Sequence, residues 1–260
     1  MGMNSNEAVV SLLLFFMMEV RIMTVAQEGM FLLVLFVANT IQAVTGFAGT
    51  LLAMPPSILL IGPDRAKVIL NIMAFFSSVF ISCCSYRYID GKELGKILLY
   101  MGIGMIGGIY IYTICPLSFL LPFYGIFIIA VGLQKLCFSS DTHLSRYLSY
   151  GVLLGAGIMH GMFVSGGALL VFYAAVTFKN KRVFRATLAA VWLILSLFLM
   201  AKDYVNGFYD QEVIFLTIAS ILPLVAATYA GNRIHDKISQ SLFMKISYIL
   251  LILSGVFLFL

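Results

Sequence analysis

Two stretches of this chain, residues 29–63 and 147–178, carry no Asp, Glu, Lys or Arg, and each is interrupted near its middle by a glycine cluster. The first break reads Thr45-Gly46-Phe47-Ala48-Gly49-Thr50 and the second Ser165-Gly166-Gly167-Ala168. A soluble fold has no use for apolar runs of this length, whereas a membrane-spanning helix needs about 20 such residues in a row. Apolar segments broken by glycine at matching places in two halves point to a helix-bundle carrier whose site lies at the breaks.

Composition agrees with that class. Hydrophobic residues make up 62% of the chain and charged residues 10%, so it reads as an all-α polytopic membrane protein with the lipid bilayer as its partner. Long apolar runs without two-residue alternation exclude an outer-membrane barrel and leave an inner or plasma membrane as the expected home. The net charge of +5 sits in short loops between spans, where topology sets it, so no nucleic-acid partner is expected. Cys83, Cys84, Cys115 and Cys137 lie in or beside hydrophobic spans without metal-ligand spacing to histidine. They read as small packing residues, and neither a metal nor a cofactor is expected.

Charged loops divide the chain into residues 1–28, a first transmembrane repeat over 29–134 and a second over 147–260. Residues 1–28 hold an apolar run too short to cross, and read as an interfacial or accessory helix. Plain spans are expected at about 68–86, two within 97–134, then about 183–201, 213–232 and 238–260. Cys115-Pro116, with Pro122 following, marks the turn inside the uncharged stretch 97–134.

A shift of 118 positions lays the second half on the first. Gly49 then falls on Gly167, Gln42 on His160, Lys67 on Arg185 and Leu51-Leu52 on Leu169-Leu170, without a gap. Polar and glycine positions agreeing in one register argue for an internal repeat. Loop charges then fix the orientation. If each broken element re-enters, four Lys/Arg lie on one face and eleven on the other; if each crosses once, the split is seven against eight. The positive-inside rule favours re-entry, with the eleven-residue face cytoplasmic and both termini outside. Three plain crossings per half then make the two repeats inverted, the arrangement that supports alternating access.

The run Thr45 to Pro55, continuing to Gly62-Pro63 and Ala66, resembles the first-half signature of the sulfite exporter TauE/SafE family. Gly157-Ile158-Met159-His160-Gly161-Met162-Phe163, with Ser165-Gly166-Gly167 and then Lys181 and Phe184-Arg185-Ala186-Thr187-Leu188, resembles its second half. Ala168 stands where the family commonly has proline, and Ala48 where it often has glycine. The likeness spans about residues 29–260 and implies export of small sulfur-containing anions, sulfite or organosulfonates.

Read physically, each break marks a cavity, because unpaired backbone in hydrocarbon costs several kcal/mol per group. A helix starting just after each cluster, near Thr50 and Ala168, would present free N–H groups and a positive dipole end to an oxyanion. The expected substrate-binding residues are therefore Gln42, Thr45, Gly46, Phe47, Gly49, Thr50, His160, Ser165, Gly166 and Gly167. Lys67 and Arg185, paired by the repeat, join them as cations at the two mouths. The bland reading of such glycines is close helix packing, and Asn39 and Asn71 read as helix–helix glue. No catalytic residue is expected, since Ser165 and His160 sit on one broken element without the spacing of a nucleophile turn. An anion channel, or a carrier of another small anion such as a carboxylate, is the rival reading. The same residues are consistent with a homo-oligomer.

Overall fold

A computed structural model describes residues 25–45, 48–137, 145–178 and 180–235, with isolated positions beyond 244. Among these residues every regular element is helical. Helix α1 runs Val25–Thr45, α2 Gly49–Ile61, α3 Pro63–Ser85, α4 Gly91–Ile114 and α5 Leu117–Cys137. In the second half α6 is Arg146–Phe163, α7 Gly167–Thr177, α8 Lys181–Val205 and α9 Gln211–His235. Six stretches within α1, α3, α4, α5, α8 and α9 are long and apolar enough to cross a membrane. Most of the expected span 238–260 lies outside the described residues.

Local chemistry sets the boundaries. Gly62 takes positive φ (81°), which ends α2, and Pro63 opens α3 at a position where its missing N–H costs nothing. Asp90 caps α4 by accepting from the N–H groups of Lys92 and Glu93, and Ser145 and Asn180 cap α6 and α8 in the same way. Pro116 separates α4 from α5 as expected, but Pro122 lies inside α5 and belongs to no turn. Residues 25–28, expected in the accessory segment, are helical and continuous with the rest of α1. Residues 1–24 lie outside the description.

Both broken stretches fold back on themselves. Helix α1 packs along α2 and α6 along α7, across connections of three residues each, 46–48 and 164–166. Two element starts keep the 118-residue spacing, α2 and α3 at 49 and 63 against α7 and α8 at 167 and 181, and the third pair, α4 at 91 and α9 at 211, is 120 apart. The packing pairs obey the same exchange, with α4 on α6 matching α9 on α1, and α3 on α9 matching α8 on α4.

Helices α3 and α8 pass each other in opposite directions at the centre. Asn71 on α3 donates to the Ser196 carbonyl on α8 at 3.0 Å, so it does join helices, while Asn39 bonds back to Leu35 within α1. Lys67 near the start of α3 feels Lys202 and Asp203 near the end of α8, and Arg185 near the start of α8 feels Cys84 near the end of α3. Helices α4 and α6 run side by side in the same direction. A Cβ on Gly104 would collide with the Leu154 carbonyl, one on Gly108 with that of Ile158, one on Gly157 with that of Met101, and one on Gly161 with that of Met105. Two interlocked small-xxx-small seams thus bring backbone onto backbone. The cysteines depart from expectation: Cys83 and Cys84 are exposed on α3 instead of filling the core.

Candidate functional site

The elbow of the second hairpin is made by a valine. Val164 adopts left-handed backbone (φ 54°), and its N–H reaches the His160 carbonyl at 2.8 Å, closing α6. For a β-branched residue that conformation costs on the order of 1–3 kcal/mol and persists only where the surroundings enforce it. Ser165 supplies the enforcement. Fully buried, it donates its hydroxyl to the Phe163 carbonyl at 2.9 Å and pairs with the Tyr124 hydroxyl of α5 at 2.7 Å. With its proton committed to the carbonyl, Ser165 is the acceptor and Tyr124 the donor. The Tyr124 ring stacks on Phe163 with centroids 4.3 Å apart, so one side chain from α5 clamps both sides of the turn.

Glycine serves close approach at these elbows. A Cβ on Gly166 would collide with the Ala156 carbonyl and press on His160, and one on Gly49 would collide with the Gln42 side chain. Gln42 and His160, equivalent under the repeat, are each packed against the first residues of the returning arm and are 5% and 1% exposed. The returning arms α2 and α7 begin at Gly49 and Gly167, one residue earlier than the sequence suggested. Neither has a side-chain cap, Ala48 and Gly166 having nothing to offer. A positive helix end lies at each elbow.

Neither ring nitrogen of His160 has a hydrogen bond among the described residues, and the ring lies 5.2 Å from that of Trp192 on α8. Lys67, 6% exposed, makes no ion pair among the described residues; its ammonium sits 3.4 Å above the Tyr112 ring, and its charge reaches His160. Tyr112 is oriented by donating to Asp64 at 2.8 Å. Lys202 and Asp203 pair at 2.7 Å at the same end, where burial and the Asp203 charge push the Tyr209 phenol up.

Arg185 stands at the other end of the α3–α8 pair, two turns before Trp192. It opens into a cavity reaching Ala43 of α1, whose walls include neither Lys67 nor His160. Thr50, half-buried, is the second residue of α2, and Thr45 is the last of α1. Gly46 and Phe47 lie outside the described residues. Ser165 and His160 are not bonded to each other; the serine hydroxyl is engaged with Tyr124 and Phe163.

Sequence reasoning missed Tyr112, Tyr124, Trp192, Val164 and Asp203. The repeat could not reveal Tyr112 or Trp192, whose counterparts at 118 residues are Ala230 and Ala74. Asp203 did carry a signal, as a carboxylate just inside the apolar run that ends α8.

No curated protein and no solved structure matched the chain. A family model described as "Sulfite exporter TauE/SafE" matches residues 31–258, nearly the whole length, and the chain belongs to that family of multi-pass membrane transporters.

Proposed function

We propose that this protein exports a small sulfur-containing oxyanion, sulfite or an organosulfonate, across the cell membrane by alternating access between two inverted repeats. The observation that carries the reading is a buried Lys67 with no ion pair, and a buried His160 at a hairpin elbow with neither ring nitrogen hydrogen-bonded, both among the described residues. An ammonium is expensive inside a membrane unless something negative visits it. A pyramidal or tetrahedral oxyanion would accept from Lys67, from a protonated ring nitrogen of His160 and from the uncapped first-turn N–H groups of α7. Ser165 shapes this cradle by fixing the turn, and Gln42, Thr45, Gly46, Phe47, Gly49 and Thr50 form its counterpart on the first hairpin. The opposed directions of α3 and α8, and the exchange symmetry of the packing, support inverted repeats. The split of loop cations supports a cytoplasmic face at the α3–α4 and α7–α8 loops, with both termini outside.

Proteoliposomes loaded with unlabelled sulfite should accumulate labelled sulfite faster than empty ones, the trans-acceleration expected of a carrier. Flux that ignores the trans side would make the protein a channel. Gly49→Leu and Gly166→Leu should both abolish flux while inserting normally, because each side chain would fill the approach between hairpin arms. Full transport by both variants would remove the hairpins from the mechanism.

A further inference from the structure

A cavity lies apart from the elbow, and its lining is of a different kind. Between α3, α8 and α9 the structure holds a cavity of about 470 Å³, within the range of small-molecule sites. Its walls are Phe76 and Phe80 of α3 and Ile221 and Val225 of α9, which are 47%, 56%, 44% and 60% exposed. Both helices carry membrane-spanning stretches, so these exposed faces meet acyl chains and the cavity opens sideways into the bilayer. A small hydrophilic anion gains nothing from such walls.

One charged group lines them. Arg185 makes no hydrogen bond or ion pair among the described residues, and its Nε is buried without a partner. No carboxylate pairs with it among the described residues. A guanidinium presents five donors in a rigid fork that fits two phosphate oxygens at once, and leaving it unanswered at the edge of hydrocarbon is costly. Depth also fits. Arg185 is four residues, about 6 Å, inside the first residue of α8, the level at which headgroup phosphates meet the chain region.

An apolar trough open to lipid, ending in an unanswered arginine at headgroup level, has the form of a two-part ligand. We infer that this cavity binds an anionic phospholipid, its phosphate held by Arg185 with help from the Thr228 hydroxyl and one acyl chain laid along Phe76, Phe80 and Val225. Basic pockets between spanning helices are known to take such headgroups. The site adjoins Ala43 near the end of α1, so its occupant would brace α9 and α3 beside the first elbow. It stands independently of the cargo and would remain if sulfite proved to be the wrong substrate.

The test is native mass spectrometry of the full-length protein, released from nanodiscs of phosphatidylglycerol or phosphatidylcholine. The wild type should retain one phosphatidylglycerol with at least tenfold preference over phosphatidylcholine. Arg185→Gln should erase that preference. Val225→Trp, which fills the exposed trough and keeps the arginine, should weaken retention by a similar factor even if the charge variant fails to fold. Equal retention of the two lipids by the wild type would overturn the proposal, as would full preference in Val225→Trp. Displacement of the lipid by millimolar inorganic phosphate alone would also overturn it, since the site would then read a free anion and not a lipid.

Discussion

Glycines on α4 sort into two kinds, and the difference predicts what alanine should do at each. A Cβ on Gly102 or Gly107 would meet nothing within 4 Å, whereas one on Gly104 or Gly108 would collide with a backbone carbonyl of α6. Backbone cannot rotate away as a side-chain tip can, so the two helices would have to separate by roughly 1 Å to restore ordinary contact. A gap of that size forfeits about a quarter to a half of the dispersion well of each contact pair, and overpacking of this kind costs about 1–3 kcal/mol. Alanine in a helix interior offers up to about 1 kcal/mol in propensity over glycine. Gly102→Ala and Gly107→Ala should therefore be neutral or slightly stabilising, and Gly104→Ala and Gly108→Ala net destabilising. At about 2–4 °C per kcal/mol for a chain of this class, the seam variants should melt several degrees lower than the open-site variants. The assay is thermal unfolding of the purified protein, followed by fluorescence-detected size exclusion, with all four variants in one detergent. Equal melting temperatures across the four would show that α4 and α6 are not in backbone contact, and the packing argument would fail.

Three further outcomes follow from the same geometry. Lys67→Met should weaken sulfite binding by at least tenfold, a loss of about 1.4 kcal/mol, with Lys67→Arg retaining part of it; isothermal titration of purified protein would read this, and unchanged affinity in Lys67→Met would remove the lysine from the cradle. Tyr124→Phe deletes the 2.7 Å bond to Ser165 but leaves the serine bonded to Phe163, so it should cost about 1 kcal/mol in unfolding free energy. Arg65 pairs with Asp210 at 3.3 Å and Glu212 at 2.8 Å while 23% exposed, so Arg65→Ala should cost no more than about 1 kcal/mol, shrinking as salt is raised; a salt-independent loss would contradict a surface pair.

The hairpins were legible because hydrocarbon penalises broken backbone, so a break must be marked by residues that tolerate it, and glycine marks it in sequence. The 118-residue register could be read for a related reason. Gln42 and His160 fall in that register, and each packs against a glycine where its arm returns, Gly49 and Gly166. What holds the second elbow was not legible. Val164 is an ordinary apolar letter whose left-handed backbone depends on Ser165, and Ser165 depends on Tyr124, 41 residues away on another helix. Pro122 was misread: the neighbouring Pro116 already ends α4, so the second proline need not break anything.

The packing also shows which parts could move as units. Chain order groups α1 to α5 as one half, yet the tightest seam joins α4 of the first half to α6 of the second, through four glycines whose positions admit no Cβ. By the exchange symmetry α9 of the second half lies on α1 of the first, with Gly231 against Thr40 and Ala43. Backbone-to-backbone seams resist sliding because packed interiors do not deform continuously. Polar ties such as Arg65 to Asp210 and Glu212, or Arg182 to Tyr88, lie at the exposed ends and yield at small cost. Any rocking that alternates access would then carry α6 and α7 with α4, and α1 and α2 with α9, on either side of the antiparallel α3–α8 pair. The elbow at Val164–Gly166 would travel with the first body, while Lys67 and Trp192 stay on the central pair. Such a motion would change the separation between Lys67, on the central pair, and His160, on the helix that moves with α4.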